Sequence, residues 1–337
     1  MTDKKIQIVR IGILGASRIA PAAIINPARK NPRAKVVAVA ARDHRKAQKY
    51  ARKHQILHVH RNYDELIADP DIDAIYNPLP NSLHAGWTIR ALEEGKHVLC
   101  EKPIASNAQE AHDMAATAES ENRYLMEAFH WLYHDMGQRI IDTVRSGELG
   151  TIKHIAASLC VPYLKPGDIR YRLDLAGGAT MDLGAYTVSM LRHVSGEEPE
   201  VESATSALSS PGVDRLMVAN FQFPSGTTGY MQASLFSRKL FAIYLQVNGD
   251  KGYLYASNPV MPHRGLSRLT ISTAAGTTEE KFGKPTTYEK QLDAFVNLVQ
   301  EGKSVLTDGW DGVRNMQVID DIYRSAGMSP RGTGKVF

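Results

Sequence analysis

The first third of the chain alternates short runs of apolar, β-branched residues with amphipathic stretches, and few folds accept that pattern. Ile6–Leu14, Val36–Ala41, Asp73–Asn77, His97–Cys100 and Tyr124–Ala128 are short enough to be strands buried on both faces. Between them, Arg18–Lys30, Asp43–His54, Leu83–Glu94 and Ala108–Ser120 read as helices. Asp43–His54 places Ala47, Tyr50 and Ala51 on one face, and Gly95 is a suitable C′ residue for Leu83–Glu94. Strands rejoined through helices make right-handed crossovers, so the alternation predicts an α/β fold with a doubly wound parallel sheet.

From Thr151 the texture changes to longer polar/apolar alternations at Ile152–Val161, Leu216–Phe223, Thr227–Phe236, Ala242–Val247 and Leu269–Thr273. Pro224-Ser225-Gly226 and Asn248-Gly249-Asp250 supply turns between them, which predicts a mostly antiparallel sheet. Helical stretches interrupt it at Thr180–Val194, Thr287–Glu301 and near Asp311–Ser325. At 337 residues, two domains are expected: a dinucleotide-binding domain over 1–127 and a substrate-binding domain over 128–337. An apolar fraction of 43% and a charged fraction of 23% exclude disorder and a coiled-coil rod. Forty Lys+Arg against 36 Asp+Glu leave only +4, scattered too thinly to argue for nucleic acid. Cys100 and Cys160 make no disulfide framework, and no apolar run reaches the ~20 residues that span a bilayer. Gly12 and Gly15 break the apolar stretch Ile11–Ala16, so it reads poorly as a signal peptide; a cytoplasmic setting fits these features.

Gly12-Ile13-Leu14-Gly15-Ala16-Ser17 stands where the first strand should turn into the first helix. A phosphate-binding turn needs backbone without side chains and a helix N-terminus facing the anion. The spacing is offset from G-x-G-x-x-G, with Ser17 at the last position. After the second strand comes Ala40-Ala41-Arg42-Asp43. An NAD site offers an acid there for the ribose diol, whereas Arg42 beyond the small Ala41 suits a 2′-phosphate. Asp43 is either a displaced diol ligand or a helix N-cap, and the N-cap is favoured. The site thus favours NADP over NAD.

Glu101-Lys102-Pro103 follows directly on His97–Cys100, and strand carboxyl ends line the ligand crevice of a doubly wound sheet. Lys102 there faces the reactive end of a nicotinamide; the bland alternative is an exposed loop lysine. Farther on lies Gly177-Gly178-Ala179-Thr180-Met181-Asp182-Leu183-Gly184-Ala185-Tyr186. A helix from Thr180 puts Asp182 and Tyr186 on one face, a carboxylate and a phenol able to bind a hydroxyl and relay its proton. An ordinary helix acid and a packed aromatic would look the same. His58 and His60 have no third ligand nearby, so no metal site is expected.

Together these segments resemble the Gfo/Idh/MocA oxidoreductase family. Tyr76-Asn77-Pro78-Leu79-Pro80-Asn81-Ser82-Leu83-His84 and Gly95-Lys96-His97-Val98-Leu99-Cys100-Glu101-Lys102-Pro103 are its most specific marks here. The resemblance implies an N-terminal Rossmann domain and a C-terminal α/β domain with a large open sheet, through which members form homodimers or homotetramers. It maps the family's catalytic lysine onto Lys102 and its D-x-G-x-H motif onto Asp182, Gly184 and position 186. There the chain departs, with Tyr186 in place of histidine, as in the branch of glucose–fructose oxidoreductase, dihydrodiol dehydrogenases, NADP xylose dehydrogenases and sugar 3-ketoreductases. Ala179 in place of a third glycine is a milder departure. The resemblance assigns cofactor contacts to Gly15, Ala16, Ser17, Arg18, Ile19, Arg42, Asn77, Pro78, Leu79, His84 and Glu101, with Arg172 a lesser candidate; His84 is equally readable as structural. The implied activity is hydride transfer between NADP and a carbinol or carbonyl carbon of a sugar-like substrate. Tyr186 or Lys102 exchanges the hydroxyl proton, and Asp182 anchors a neighbouring hydroxyl or orients Lys102. A non-catalytic dinucleotide sensor and an NAD-using glycosidase are the competing readings.

Overall fold

A computed structural model describes residues 8–332 apart from Pro166 and Leu266. Ile6 and Gln7 of the first expected strand lie outside the described residues. The chain divides into two compact units. One runs to Ile104 and takes in Gln109–Ala128 and Tyr288–Gly312; the other comprises Ala105–Ala108, Phe129–Thr287 and the chain from Val313.

The first unit holds β1 (Val9–Leu14), β2 (Ala34–Ala40), β3 (His58–Val59), β4 (Ala74–Asn77), β5 (His97–Cys100) and β6 (Leu125–Glu127). They form one parallel sheet in the order β3-β2-β1-β4-β5-β6, the doubly wound arrangement that the alternation predicts. Ile11, Ile13, Leu14, Ile75 and Val98 are buried, as strands covered on both faces require. Gly12 lies within β1, where a Cβ would come within 2.8 Å of Leu66 Cδ2 and 3.0 Å of Ile72 Cδ1. Its missing side chain therefore lets the helix Tyr63–Ile67 close onto β1. The strand order reverses between β1 and β4, and there the two following loops touch: a Cβ on Gly15 would lie 3.1 Å from Leu79 Cδ2.

A helix from far downstream completes this unit. Within Thr287–Glu301, Asp293 accepts from Asn31 Nδ2 at 2.7 Å and Asn297 accepts from Arg33 at 2.7 Å. The helical pattern of this stretch is plain in the sequence, but nothing local says which unit it joins.

The second unit holds β7 (Ile152–Cys160), β8 (Glu200–Ser210), β9 (Val213–Gln222), β10 (Thr228–Ser234), β11 (Ala242–Gly249), β12 (Gly252–Ser257), β13 (Arg268–Thr273) and β14 (Gly276–Glu280). Their order is β14-β13-β12-β11-β7-β10-β9-β8, antiparallel throughout except between β7 and β10. The helix Ala185–Ser195 packs on β7 and β10 and is buried almost all round. Strands β8 and β14 lack the alternation that marks their neighbours because they are polar edge strands, exposed along most of their length. No helix among the described residues is long and apolar enough to cross a membrane.

His97 opens β5, and its Nδ1 accepts the Tyr124 amide at 3.0 Å. Burial, reinforced by the nearby Arg123 charge, pushes its pKa from 6.5 down to about 4. Between those values the unfolded chain binds a proton that the folded chain does not, so stability falls as the pH is lowered through that window. In urea titrations across this range His97→Asn, whose amide oxygen accepts the same bond, should lose less stability than the parent; equal losses would rule out His97 as a source.

Candidate active site

At the carboxyl end of β1, Gly15 adopts φ +87°, a backbone conformation that favours glycine. Its N–H donates to the Ala40 carbonyl at 2.7 Å, fixing the turn against β2. Ser17 Oγ accepts the Ala20 amide at 3.2 Å, and Tyr50 Oη donates to the Ser17 carbonyl at 3.0 Å. Ala16, Ser17 and Ile19 are half-buried and Arg18 is exposed. The helix begins as a wide π-turn, Pro21–Ile25, before settling into Asn26–Lys30. A turn opened by a glycine and leading into a helix N-terminus has the form a pyrophosphate requires. Beyond β2, Ala41 is buried and Arg42 exposed, while the Asp43 carboxylate caps the helix His44–His54 by accepting the Lys46 amide at 3.1 Å. With Asp43 engaged at the helix end, the cationic Arg42 fits a phosphate on the ribose.

The ends of β4 and β5 are tied together. Asn77 is fully buried, its Nδ2 donating to Thr88 Oγ1 at 3.0 Å and the His84 carbonyl at 3.2 Å, its Oδ1 accepting from the Leu79 amide at 3.3 Å. His84 Nδ1 lies 2.8 Å from the Pro103 carbonyl and Nε2 lies 2.7 Å from the Leu79 carbonyl. Burial lowers its pKa, and the two carbonyls work in the opposite direction. His84 thus links the Pro78–Leu83 loop to the loop that carries Lys102. Tyr76 Oη, whose pKa burial and the Glu101 charge hold far up, donates to Glu101 Oε1 at 2.6 Å. The Glu101 amide donates to Asn77 O at 3.0 Å, and the Ile104 amide to Glu127 Oε1 at 2.8 Å. Between these anchors stands Lys102, half-buried, its peptide bond to Pro103 cis.

In the second unit, Gly177-Gly178 makes the close approach that paired glycines allow. A Cβ on Gly177 would sit 2.7–2.8 Å from the carbonyls of Ile169, Arg170 and Arg172. Gly178, at φ +137°, would put one 2.1 Å from Asp214 Oδ1. Asp214 is wholly buried and accepts from the Thr180 amide and hydroxyl, both at 2.7 Å, from Tyr323 Oη at 3.1 Å and from Arg331 at 2.6 Å. Arg331 also stacks on Tyr323 and donates to the Gly177 carbonyl. This buried cluster fixes where the next helix starts.

That start is a π-turn, Thr180–Gly184, running into Ala185–Ser195, and not the regular α-helix expected from Thr180. π-turns often occur at functional sites, and the wider turn alters the α-helical relation between positions four apart. Asp182 and Tyr186 accordingly have different partners. Arg170 Nε donates to Asp182 Oδ2 at 2.6 Å, and its NH1 to the buried Asp168 at 2.9 Å. The guanidinium also stacks on Tyr163 at 4.1 Å. Burial opposes the Arg170 charge, but attraction to Asp182 outweighs it and its pKa rises. Tyr186 Oη lies 2.9 Å from His130 Nε2, and its ring meets the edge of Phe129. Arg172 is exposed and bonds to Asp174.

The sequence reading missed His130 and the pairing of Arg170 with Asp182. The one signal for His130 was its place just after a parallel strand. Arg170 carried no separable mark among the other charges of its loop. Trp131, next to His130, is core, its indole donating to Ser189 Oγ at 3.2 Å.

Comparison with known proteins bears on the whole chain. Residues 9–129 match the family model described as "Oxidoreductase family, NAD-binding Rossmann fold", and residues 138–255 match the "GFO/IDH/MocA C-terminal domain". A D-xylose 1-dehydrogenase (NADP(+)) of Haloferax volcanii is 34% identical over 94% of this chain and 96% of its own. An aldose-aldose oxidoreductase from Caulobacter crescentus superposes with a TM-score of 0.88 at 25% identity, covering 96% of this chain and 100% of that one. A 3-ketoreductase from Actinomadura kijaniata, solved with NADP and TDP-benzene, gives 0.87 at 26% identity over 95% and 98%.

The Asp214 cluster leaves a measurable trace. Asp214→Ala would strand the Arg331 guanidinium, 2% exposed, without its carboxylate. Breaking such a buried pair costs about 3–5 kcal/mol, and Gly178→Ala should destabilise through the same contact. Urea midpoints equal to the parent's in both variants would show that the cluster contributes little.

Proposed function

This chain belongs to the Gfo/Idh/MocA oxidoreductase family, and on that premise we propose that it moves a hydride between NADP and a carbinol or carbonyl carbon of a sugar or sugar-like cyclic diol. The observation that carries the reading is the buried Tyr186 phenol within hydrogen-bond distance of His130, one helical turn from a carboxylate that an arginine holds in place. A packed core has no need of that combination.

The turn Gly15–Ile19 would receive the pyrophosphate, Arg42 the 2′-phosphate, and Asn77, Pro78, Leu79 and Glu101 would shape the floor beyond β4 and β5. Bound there, the nicotinamide supplies a two-electron hydride donor or acceptor. Tyr186 gives its phenol proton to the carbonyl oxygen in reduction and takes it back in oxidation. The Lys102 ammonium stabilises the charge that builds on the substrate during hydride transfer. Asp182 accepts from a neighbouring hydroxyl, and Arg170 keeps the carboxylate aimed. His84 acts through the loops it joins.

The same reading carries a homodimer or homotetramer formed through the open sheet of the second unit, where Tyr253 and Tyr255 are 43% and 38% exposed. It also places the enzyme in the cytoplasm, a setting suited to two buried, free cysteines, Cys100 and Cys160.

A screen of aldoses, ketosugars and cyclic diols with NADP⁺ and NADPH, followed at the nicotinamide absorbance, tests the activity. With the best substrate, Lys102→Met should keep NADPH affinity and lose about 10²-fold or more in turnover; unchanged turnover would remove Lys102 from the chemistry. Arg42→Ala should raise the KM for NADP by about tenfold through loss of a charge-assisted contact while leaving that for NAD nearly alone. Equal effects on both would show that Arg42 does not read the 2′-phosphate. Tight NADP binding without turnover on any substrate class would favour a dinucleotide sensor instead.

A further inference from the structure

We propose that His130 holds its proton on Nε2 and donates it to the Tyr186 oxygen, leaving the phenol's own proton for the substrate; this rests on Tyr186 being the proton donor proposed above. The two atoms are 2.9 Å apart, with Tyr186 6% and His130 1% exposed. A phenol has one proton and can point it one way. If Nε2 were bare it would accept that proton, and Tyr186 would have nothing to offer a carbonyl oxygen. If Nε2 carries the hydrogen, the phenol oxygen accepts from histidine and its O–H turns to the substrate.

The same tautomer serves both directions of the reaction. In reduction the hydride adds to the carbonyl carbon, the displaced C=O pair takes the proton from Tyr186, and the electrons of the broken O–H bond stay on the phenolate. The Nε2–H already faces that negative oxygen, and a hydrogen bond to an ion is about twice as strong as one to a neutral group. Water returns the proton to Tyr186 after product leaves. In oxidation the phenolate is the base, held by the same bond until it takes the hydroxyl proton.

The surroundings hold this geometry. His130 opens the 3₁₀ turn His130–Tyr133, which the Trp131 indole fastens to Ser189, three residues beyond Tyr186 on the same helix. Gly137 lets the turn seat, since a Cβ there would lie 2.2 Å from the Trp131 carbonyl. The Phe129 ring stands edge-on to Tyr186 at 5.5 Å. Asp182, the nearest carboxylate along the helix, is paired with Arg170. His130 is therefore a positioning residue that acts through Tyr186.

Steady-state reduction by His130→Phe, His130→Gln, Tyr186→Phe and the double variant H130F/Y186F tests the assignment. His130→Phe should lower kcat by about 10²-fold, as loss of one donor to a developing oxyanion does, with KM and NADPH affinity little changed. His130→Gln, whose amide N–H can occupy the place of Nε2–H, should recover most of that loss, and H130F should cost nothing further in the Y186F background. Unchanged kcat in His130→Phe, failure of the Gln rescue, or losses that multiply in the double variant would overturn the proposal. Tyr186→Phe turning over at the parent rate would instead overturn the acid/base reading beneath it. If the Phe variant does not fold, ¹⁵N spectra of histidine-labelled parent protein decide the matter: protonated Nε2 supports the assignment, and bare Nε2 with protonated Nδ1 refutes it.

Discussion

Asp214 is a fully buried carboxylate, and four hydrogen bonds from three residues compensate it. Three of those bonds come from Thr180 and Arg331, which draw the start of one helix and a segment near residue 331 onto the same carboxylate. Because Gly178 must lie where a side chain would overlap Asp214, the backbone ahead of Thr180 has little freedom. Everything downstream on that helix inherits this fixed origin: the wide first turn, the Asp182 carboxylate against Arg170, and the Tyr186 phenol against His130. Preorganisation of this kind spares a reaction the cost of assembling its own dipoles. A buried charge cluster at some distance from the proposed chemistry is where that preorganisation is set.

Much of the specific sequence signature in the first unit has a similar supporting purpose. Lys96 lies in the stretch that most resembles the family, yet its ammonium is buried and donates to the carbonyls of Asp69 and Ile72 at 2.7 and 2.8 Å. Asn77 divides its amide between the loop beyond β4 and the helix His84–Glu93, and His84 bridges two loops. Tyr76 orients Glu101. Lys102 stands on a loop held from both sides. A motif of this sort reads as chemistry in the sequence, while in the fold most of its residues keep a single side chain in place.

Legibility in the sequence followed burial. β5 was found residue for residue because His-Val-Leu-Cys is a strand covered on both faces, and the helix Ala108–Ser120 because its stripe is regular. β8, reading Glu-Val-Glu-Ser-Ala-Thr-Ser-Ala-Leu-Ser-Ser, buries neither face well and left no period to detect. The π-turn at Thr180–Gly184 was hidden for another reason: its residues are ordinary helix residues, and what holds its start is a tertiary anchor, Asp214. Lys102, Asp182 and Tyr186 stood out through motif context. Arg170 and His130 did not, since a side chain's partner 12 or 56 positions away leaves no mark in local spacing.

The helix that Asn31 and Arg33 grip through Asp293 and Asn297 has a consequence for synthesis. A ribosome delivers all six parallel strands long before it delivers that helix. Until some 160 further residues have emerged, the nascent unit lacks one of its helices and must stay soluble without it. The unit translated first is thus the one finished late, and a clone cut after the sixth strand would express a Rossmann sheet without a helix that belongs to its unit.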